Sequence, residues 1–260
     1  MLTAENCTLV WSFRNRFEVF KESILSAHNN LPKEISFCLV DAASNDEAIR
    51  QLRALANSIP NRKIRICESA YRTSLSEAWN LGMMLSDTRY VIFASSDVMF
   101  LSPVLFSHIA QHYHATKCKY ILVENHAVFL LDKKIIPKAG WFDETFVPGP
   151  HFDCDYMIKA SEAGETVIVI SKESNGAELY SHGDTIEESI ARTSSEIKDR
   201  LPMHDFTNDR VFKEKWQSNW PGWEPYAHAA AKPHPPTHIT QVVRLKQEID
   251  PHPYYTKKYV

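Results

Sequence analysis

Four short apolar runs, each separated from the next by a stretch with helical spacing, occupy the first hundred residues, and this alternation limits the fold more than any other feature. The runs are residues 7 to 13 (CTLVWSF), 35 to 40, 63 to 67 and 90 to 94. They are rich in β-branched and aromatic residues and read as buried strands. Between the first two, Phe17, Phe20, Ile24 and Ala27 recur at helical intervals. Ser44 or Asn45 is placed to cap a helix reaching about residue 57, and another helix is expected over 74 to 86. A β-α-β-α-β-α-β order predicts an α/β fold: a mostly parallel central sheet flanked by helices on both faces. Ligands collect at the carboxyl ends of such strands. The residues to inspect are therefore Arg14, Asn15, Asp41 and the run Ser95-Ser96-Asp97.

The second half is less regular. Helices are expected over 103 to 114, 153 to 163, 185 to 198 and 208 to 216, with strands over 120 to 123, 127 to 131 and 166 to 170. Beyond Trp216 the chain turns rich in Pro and His, which predicts a helical or extended tail over 217 to 260. The expected organisation is one domain over 1 to 216, with halves at 1 to 100 and 101 to 216, followed by that tail. Charge is nearly balanced, 29 Lys+Arg against 32 Asp+Glu, so electrostatics alone demand no nucleic-acid or membrane partner. Five cysteines without a C-x-x-C pair, three of them in apolar runs, read as buried hydrophobes. No leader-like segment and no apolar stretch of about 18 residues stands out, so no membrane span is expected. Together these suggest the cytoplasm, a host's if the source is viral.

Eight motifs, taken in order, carry a resemblance. Ser12-Phe13-Arg14-Asn15-Arg16 follows the first strand, and Asp41-Ala42-Ala43-Ser44-Asn45-Asp46 the second. Ala78-Trp79-Asn80-Leu81-Gly82 lies on a helix, and Ser95-Ser96-Asp97 ends the fourth strand. Gly140-Trp141-Phe142-Asp143-Glu144-Thr145-Phe146 precedes the Phe152-Asp153-Cys154-Asp155 helix, then come Ser181-His182-Gly183 and Asn208 to Trp216. The series resembles the inverting family 2 glycosyltransferases of the GT-A fold, a Rossmann-like sheet. There the corresponding motifs are P-T-Y-N-R, D-D-G-S-x-D, A-R-N-x-G, D-x-D, G-x-F-D-E-x-F, E-D-x-D, a later histidine, and N-R-x-x-F-x-x-K-W.

The resemblance implies roles. Asp97, with His182, would hold Mn²⁺ or Mg²⁺ on the diphosphate of a nucleotide-sugar donor; an imidazole suits Mn²⁺ better. Asp153 would take the acceptor's proton. Asp41, Arg72, Asn15, Asn80 and Ser96 would contact the nucleotide sugar. Asp155 is expected to face away and orient Lys159 or a loop. The acceptor is a glycan, a protein or a modified base, and the oligomeric state is open. Three departures stand out: Ser95 replaces the first D-x-D acid, Phe152 the acid before Asp153, and Trp79 the arginine of A-R-N.

Each residue also has a plain structural reading. Asp97 and Asp41 can be turn-formers, Asp153 and Asp155 can simply favour a helix N-terminus, and Arg72 can be solvated surface. A degenerate, non-catalytic sugar-nucleotide or glycan-binding protein is the main rival, prompted by Ser95 and Phe152. A nucleotidyltransferase ranks last, since no Gly-rich loop follows the first strand. His108, His112 and His114 lack the acid that a zinc helix needs and read as surface residues.

Overall fold

The computed structural model describes residues 1–70, 73–146 and 152–182, together with Phe212, Lys215 and Trp216. The first half runs β1 (Cys7–Phe13), α1 (Phe17–Asn30), β2 (Ser36–Asp41), α2 (Asp46–Ser58), β3 (Ile64–Glu68), α3 (Leu75–Leu85) and β4 (Tyr90–Ala94). The second half begins with β5 (Val98–Phe100), α4 (Leu105–Thr116), β6 (Tyr120–Val123) and β7 (Asn125–Asp132). It continues through α5 (Ile136–Ala139), α6 (Phe152–Glu162), β8 (Val167–Ile170), β9 (Glu173–Ser174), β10 (Ala177–Glu178) and β11 (Tyr180–His182). The expected elements of the first half are all present. β5, β9, β10 and β11 are two or three residues long, too short to show a period. The expected helix over 185 to 198, the tail over 217 to 260 and most of the 208 to 216 helix lie outside the described residues.

Seven strands form one mixed sheet in the order β3-β2-β1-β4-β7-β6-β8. β3, β2, β1 and β4 are parallel neighbours, whereas β7 runs antiparallel to both β4 and β6. Strand alternation then sorts side chains between two cores. Leu9, Trp11 and Phe13 of β1 join residues of α1, α2 and α4 on one face. Val10 of the same strand joins residues of α3 and α6 on the other. All five cysteines are buried and free, as their apolar settings predict.

Local chemistry fixes the helix starts. Asn45 caps α2 by accepting from the Ala48 N–H. Ser74 and Glu77 form a reciprocal capping box at α3. Gly82 sits where α3 crosses β1: a Cβ there would come within 2.3 Å of Val10 Cγ1, so only glycine permits this approach. His108, expected on the surface, is half-buried, with Nε2 3.2 Å from the Ser171 carbonyl oxygen.

Candidate functional site

Asp97 ends the turn that follows β4. That turn is held by the Ser95 N–H on the Ala127 carbonyl (2.9 Å) and the Val98 N–H on the Ser95 carbonyl (3.2 Å). β5 then pairs antiparallel with β11, which sets His182 opposite Val98. This two-stranded ribbon brings together two residues 85 positions apart by number, with His182 Nε2 3.1 Å from Asp97 Oδ1. The Asp97 side chain is only 10% exposed and that of His182 40%. Burial pushes the Asp97 carboxyl up, but the hydrogen bond and charge of His182, with the Arg16 charge, outweigh it and hold it below the ordinary value. A carboxylate oxygen and an imidazole nitrogen suit a divalent cation. Two ligands at right angles on a cation with bonds of about 2.1 Å sit about 3 Å apart, which this pair matches. Among the described residues no group of three or more His, Cys, Asp or Glu can hold a metal. Asp97 and His182 thus present two such donors side by side.

Asp153 lies in the first turn of α6, half-buried, and its Oδ1 accepts from the Cys154 N–H at 2.8 Å. Its Oδ2 lies 3.3 Å from Nδ1 of His126, whose side chain is 9% exposed. The other ring nitrogen, Nε2, is 2.7 Å from the Tyr120 hydroxyl. Burial lowers the His126 pKa despite the Asp153 charge, so the ring is neutral near pH 7. His126 follows an irregularity in the β6–β7 register, where Glu124 has φ 62°. Such bulges re-aim side chains near functional sites. Tyr180 of β11 bonds the Val123 carbonyl at 2.7 Å, tying this bulge to the ribbon that carries His182. Because Ala127 accepts from Ser95, the His126–Asp153 contact and the Asp97–His182 pair lie at one end of the sheet.

The expected nucleotide contacts divide. Asn15, at φ 57°, joins two loops: its Oδ1 accepts from Asn45 N–H and its own N–H donates to Ser44 Oγ, both at 2.8 Å. Asp41 is buried beneath them and accepts from the Ser44 N–H at 3.0 and 3.1 Å. Burial raises its pKa more than the Ser44 hydrogen bonds lower it. Ser96 is half-buried in the turn before Asp97. Arg72 lies outside the described residues. Asn80 has a different job from the expected one. Its amide donates to the Phe142 carbonyl and Glu144 Oε1 at 2.9 Å and accepts from the Phe142 N–H at 3.0 Å. With its donors and acceptor engaged and 1% exposed, Asn80 clamps the 142–144 segment. Arg14, beside Asn15, buries Nε and Nη1 without a hydrogen-bond partner.

Asp155 also departs from expectation. It does face away from Asp153, but it is fully buried and bonds Lys215 Nζ (2.7 Å) and Trp216 Nε1 (2.9 Å). Lys215 also donates to Asp143. Lys159 reaches the Trp141 carbonyl instead. Two of the sequence departures meet in space: Phe152 packs edge-on against Trp79, ring centroids 4.9 Å apart. The acid and the arginine expected at these positions are thus both replaced, and by one aromatic contact. His126, Tyr120 and Tyr180 carried no motif signal; only a histidine beside an apolar strand hinted at the first.

The family model for glycosyl transferase family 2 matches residues 8–146. No curated protein matches the chain. Among solved structures, it is similar to a mannosyltransferase, PcManGT, from Pyrobaculum calidifontis in complex with GDP-Man and Mn²⁺. That similarity has a TM-score of 0.56 at 13% identity, over 64% of this chain and 56% of the other. It is also similar to S. aureus TarS 1-349 in complex with UDP-GlcNAc, with a TM-score of 0.58 at 12% identity, over 72% of this chain and 61% of that one. The chain thus spans less than two thirds of either relative's length, and likeness at these identities concerns the fold. Among the described residues no helix is long and apolar enough to cross a membrane.

Proposed function

The chain belongs to glycosyl transferase family 2, and on that premise we propose that it moves a sugar from a nucleoside diphosphate sugar to an acceptor hydroxyl with inversion. The observation that carries the reading is the juxtaposition of Asp97 with His182 at the end of the sheet that also bears Asp153. Breaking the glycosidic bond builds negative charge on the diphosphate. A Mn²⁺ or Mg²⁺ ion held by Asp97 and His182 supplies the neutralising charge when bound. Asp41 and Asn15, at the ends of β2 and β1, face the nucleoside side. Arg14 adds two buried donors; leaving one unsatisfied costs roughly 1–3 kcal/mol, which a phosphate or base acceptor would offset. Asp153 removes the proton from the acceptor hydroxyl as it attacks the anomeric carbon. The domain is taken as residues 1 to 216.

The rival reading, a non-catalytic binder, rested on Ser95 and Phe152. The Phe152–Trp79 contact weakens half of that ground, because the changed residue has a changed partner. The experiment is transfer or hydrolysis with UDP-, GDP- and dTDP-sugars in Mn²⁺ or Mg²⁺, including GDP-Man and UDP-GlcNAc. Asp153→Asn should lower turnover about 10²–10⁴-fold while donor binding persists. Wild-type turnover in that variant would sink the base role, and metal-dependent binding without turnover on any donor would favour the binder.

A further inference from the structure

We infer that His126 is the positioning residue for Asp153, fixed in one tautomer by Tyr120. This rests on the proposed role of Asp153 as the base. A carboxylate only accepts hydrogen bonds, so the nitrogen facing Asp153 must carry the proton. That is Nδ1, 3.3 Å from Oδ2. In the neutral ring Nε2 is then the acceptor, and the Tyr120 hydroxyl, 2.7 Å away, donates to it. The order Tyr120 O–H to His126 to Asp153 therefore has one direction. Reversing it would require His126 to present a lone pair to a carboxylate.

The surroundings hold this order in place. Tyr120 and Phe129 rings flank the imidazole, with centroids 6.0 and 5.6 Å away. Asp153 on α6 is the charged group whose influence on His126 is resolved. Two donors, Nδ1–H and the Cys154 N–H, then approach different oxygens of the carboxylate. Each oxygen keeps a lone pair for an acceptor hydroxyl, and the plane of the group is set. The 3.3 Å separation is long for a hydrogen bond, as catalytic contacts often are before substrate binds.

The test compares His126→Leu, His126→Asn and Tyr120→Phe with wild type at saturating donor and Mn²⁺, with circular dichroism to check folding. Orienting partners of this kind are worth about 10–100-fold. His126→Leu should lose about that much kcat, with KM for the donor unchanged. His126→Asn, which can donate from nearly the position of Nδ1, should recover most of the loss. Tyr120→Phe should give a smaller loss, since the tautomer is freed but the donor remains. Folded His126→Leu at wild-type kcat, or His126→Asn no better than His126→Leu, overturns the inference. Asp153→Asn separates the two claims. If it abolishes turnover while His126→Leu does not, the base reading stands and the positioning role fails. If Asp153→Asn is fully active, the base reading itself has failed.

Discussion

Two sets of buried carboxylates, Asp97 at the sheet end and Asp143 with Asp155 of α6, differ in what closes them. At the sheet end, Asp97 is met by His182, whose ring is 40% exposed. On the far side, Asp143 and Asp155 share Lys215, and all three side chains are 0% exposed. In the first cluster one partner can turn toward solvent and leave the carboxylate to a ligand. In the second the partners all come from within the protein: Lys215 sits between the two acids, Trp216 donates to Asp155 and Thr145 to Asp143. A carboxylate is available for chemistry when its partner is dispensable to the fold. By that criterion Asp97 suits the proposed ligand role and Asp143 and Asp155 act as struts, although all three belong to motifs of the same family pattern.

The largest expected effect comes from opening the closed cluster. Lys215→Met leaves two buried carboxylates facing each other without a cation. Breaking a buried ion network in this way costs about 3–5 kcal/mol. Chemical denaturation should show the midpoint falling by a corresponding amount. A variant as stable as wild type would mean that the cluster is not a strut, and the contrast with Asp97 would collapse.

Next is Asp97→Ala. Its loss removes one proposed metal-binding oxygen at a site whose other member, the His182 side chain, is already 40% exposed, so the fold should change little. Losing charge stabilisation at the leaving group typically costs about 10²–10³-fold in turnover. Thermal stability without metal should stay near wild type, whereas the gain in melting temperature on adding nucleoside diphosphate with Mn²⁺ should vanish. A variant that unfolds without metal would place Asp97 among the struts.

The contrast also marks how far the sequence was legible. The strands and helices of the first half follow from periodicity and caps, because each element buries its own face against a neighbour in the sheet. The Asp97–His182 meeting depended on motif order, since nothing local to either residue announces the β5–β11 ribbon between them. Asp155 was expected to orient Lys159, one helical turn away, or a loop; it pairs with Lys215 from the C-terminal part, a long-range choice that i,i+4 reasoning cannot see. Asn80 lies in one of the family-like motifs, and only its three bonds to 142–144 reveal a clamp. His126 was the hardest case. Beside an apolar strand it looks like core, and its meaning comes from Tyr120 and Asp153, six and 27 positions away by number.

A third carboxylate, intermediate between the two clusters, sharpens the comparison with the smallest effect. Asp132 is fully buried, but its partner Arg89 is 36% exposed, and the two are joined by the Arg89 Nε–H at 2.9 Å. Burial pushes the Asp132 carboxyl up, and the hydrogen bonds from Arg89 and the Lys134 N–H, with the Arg89 charge, more than reverse this. Its folded value therefore lies below the 3.8 of an ordinary aspartate. A depressed carboxylate contributes stability that is fully present above its unfolded pKa and is lost as pH falls through the folded one. The stability difference between wild type and Asp132→Asn should thus be constant from neutral pH down to about pH 4–5 and shrink steadily at lower pH. Denaturation at a series of pH values measures it. A difference that persists undiminished at pH 2 would mean that Asp132 acts through packing, and the argument from partner exposure would then hold only for its two extremes.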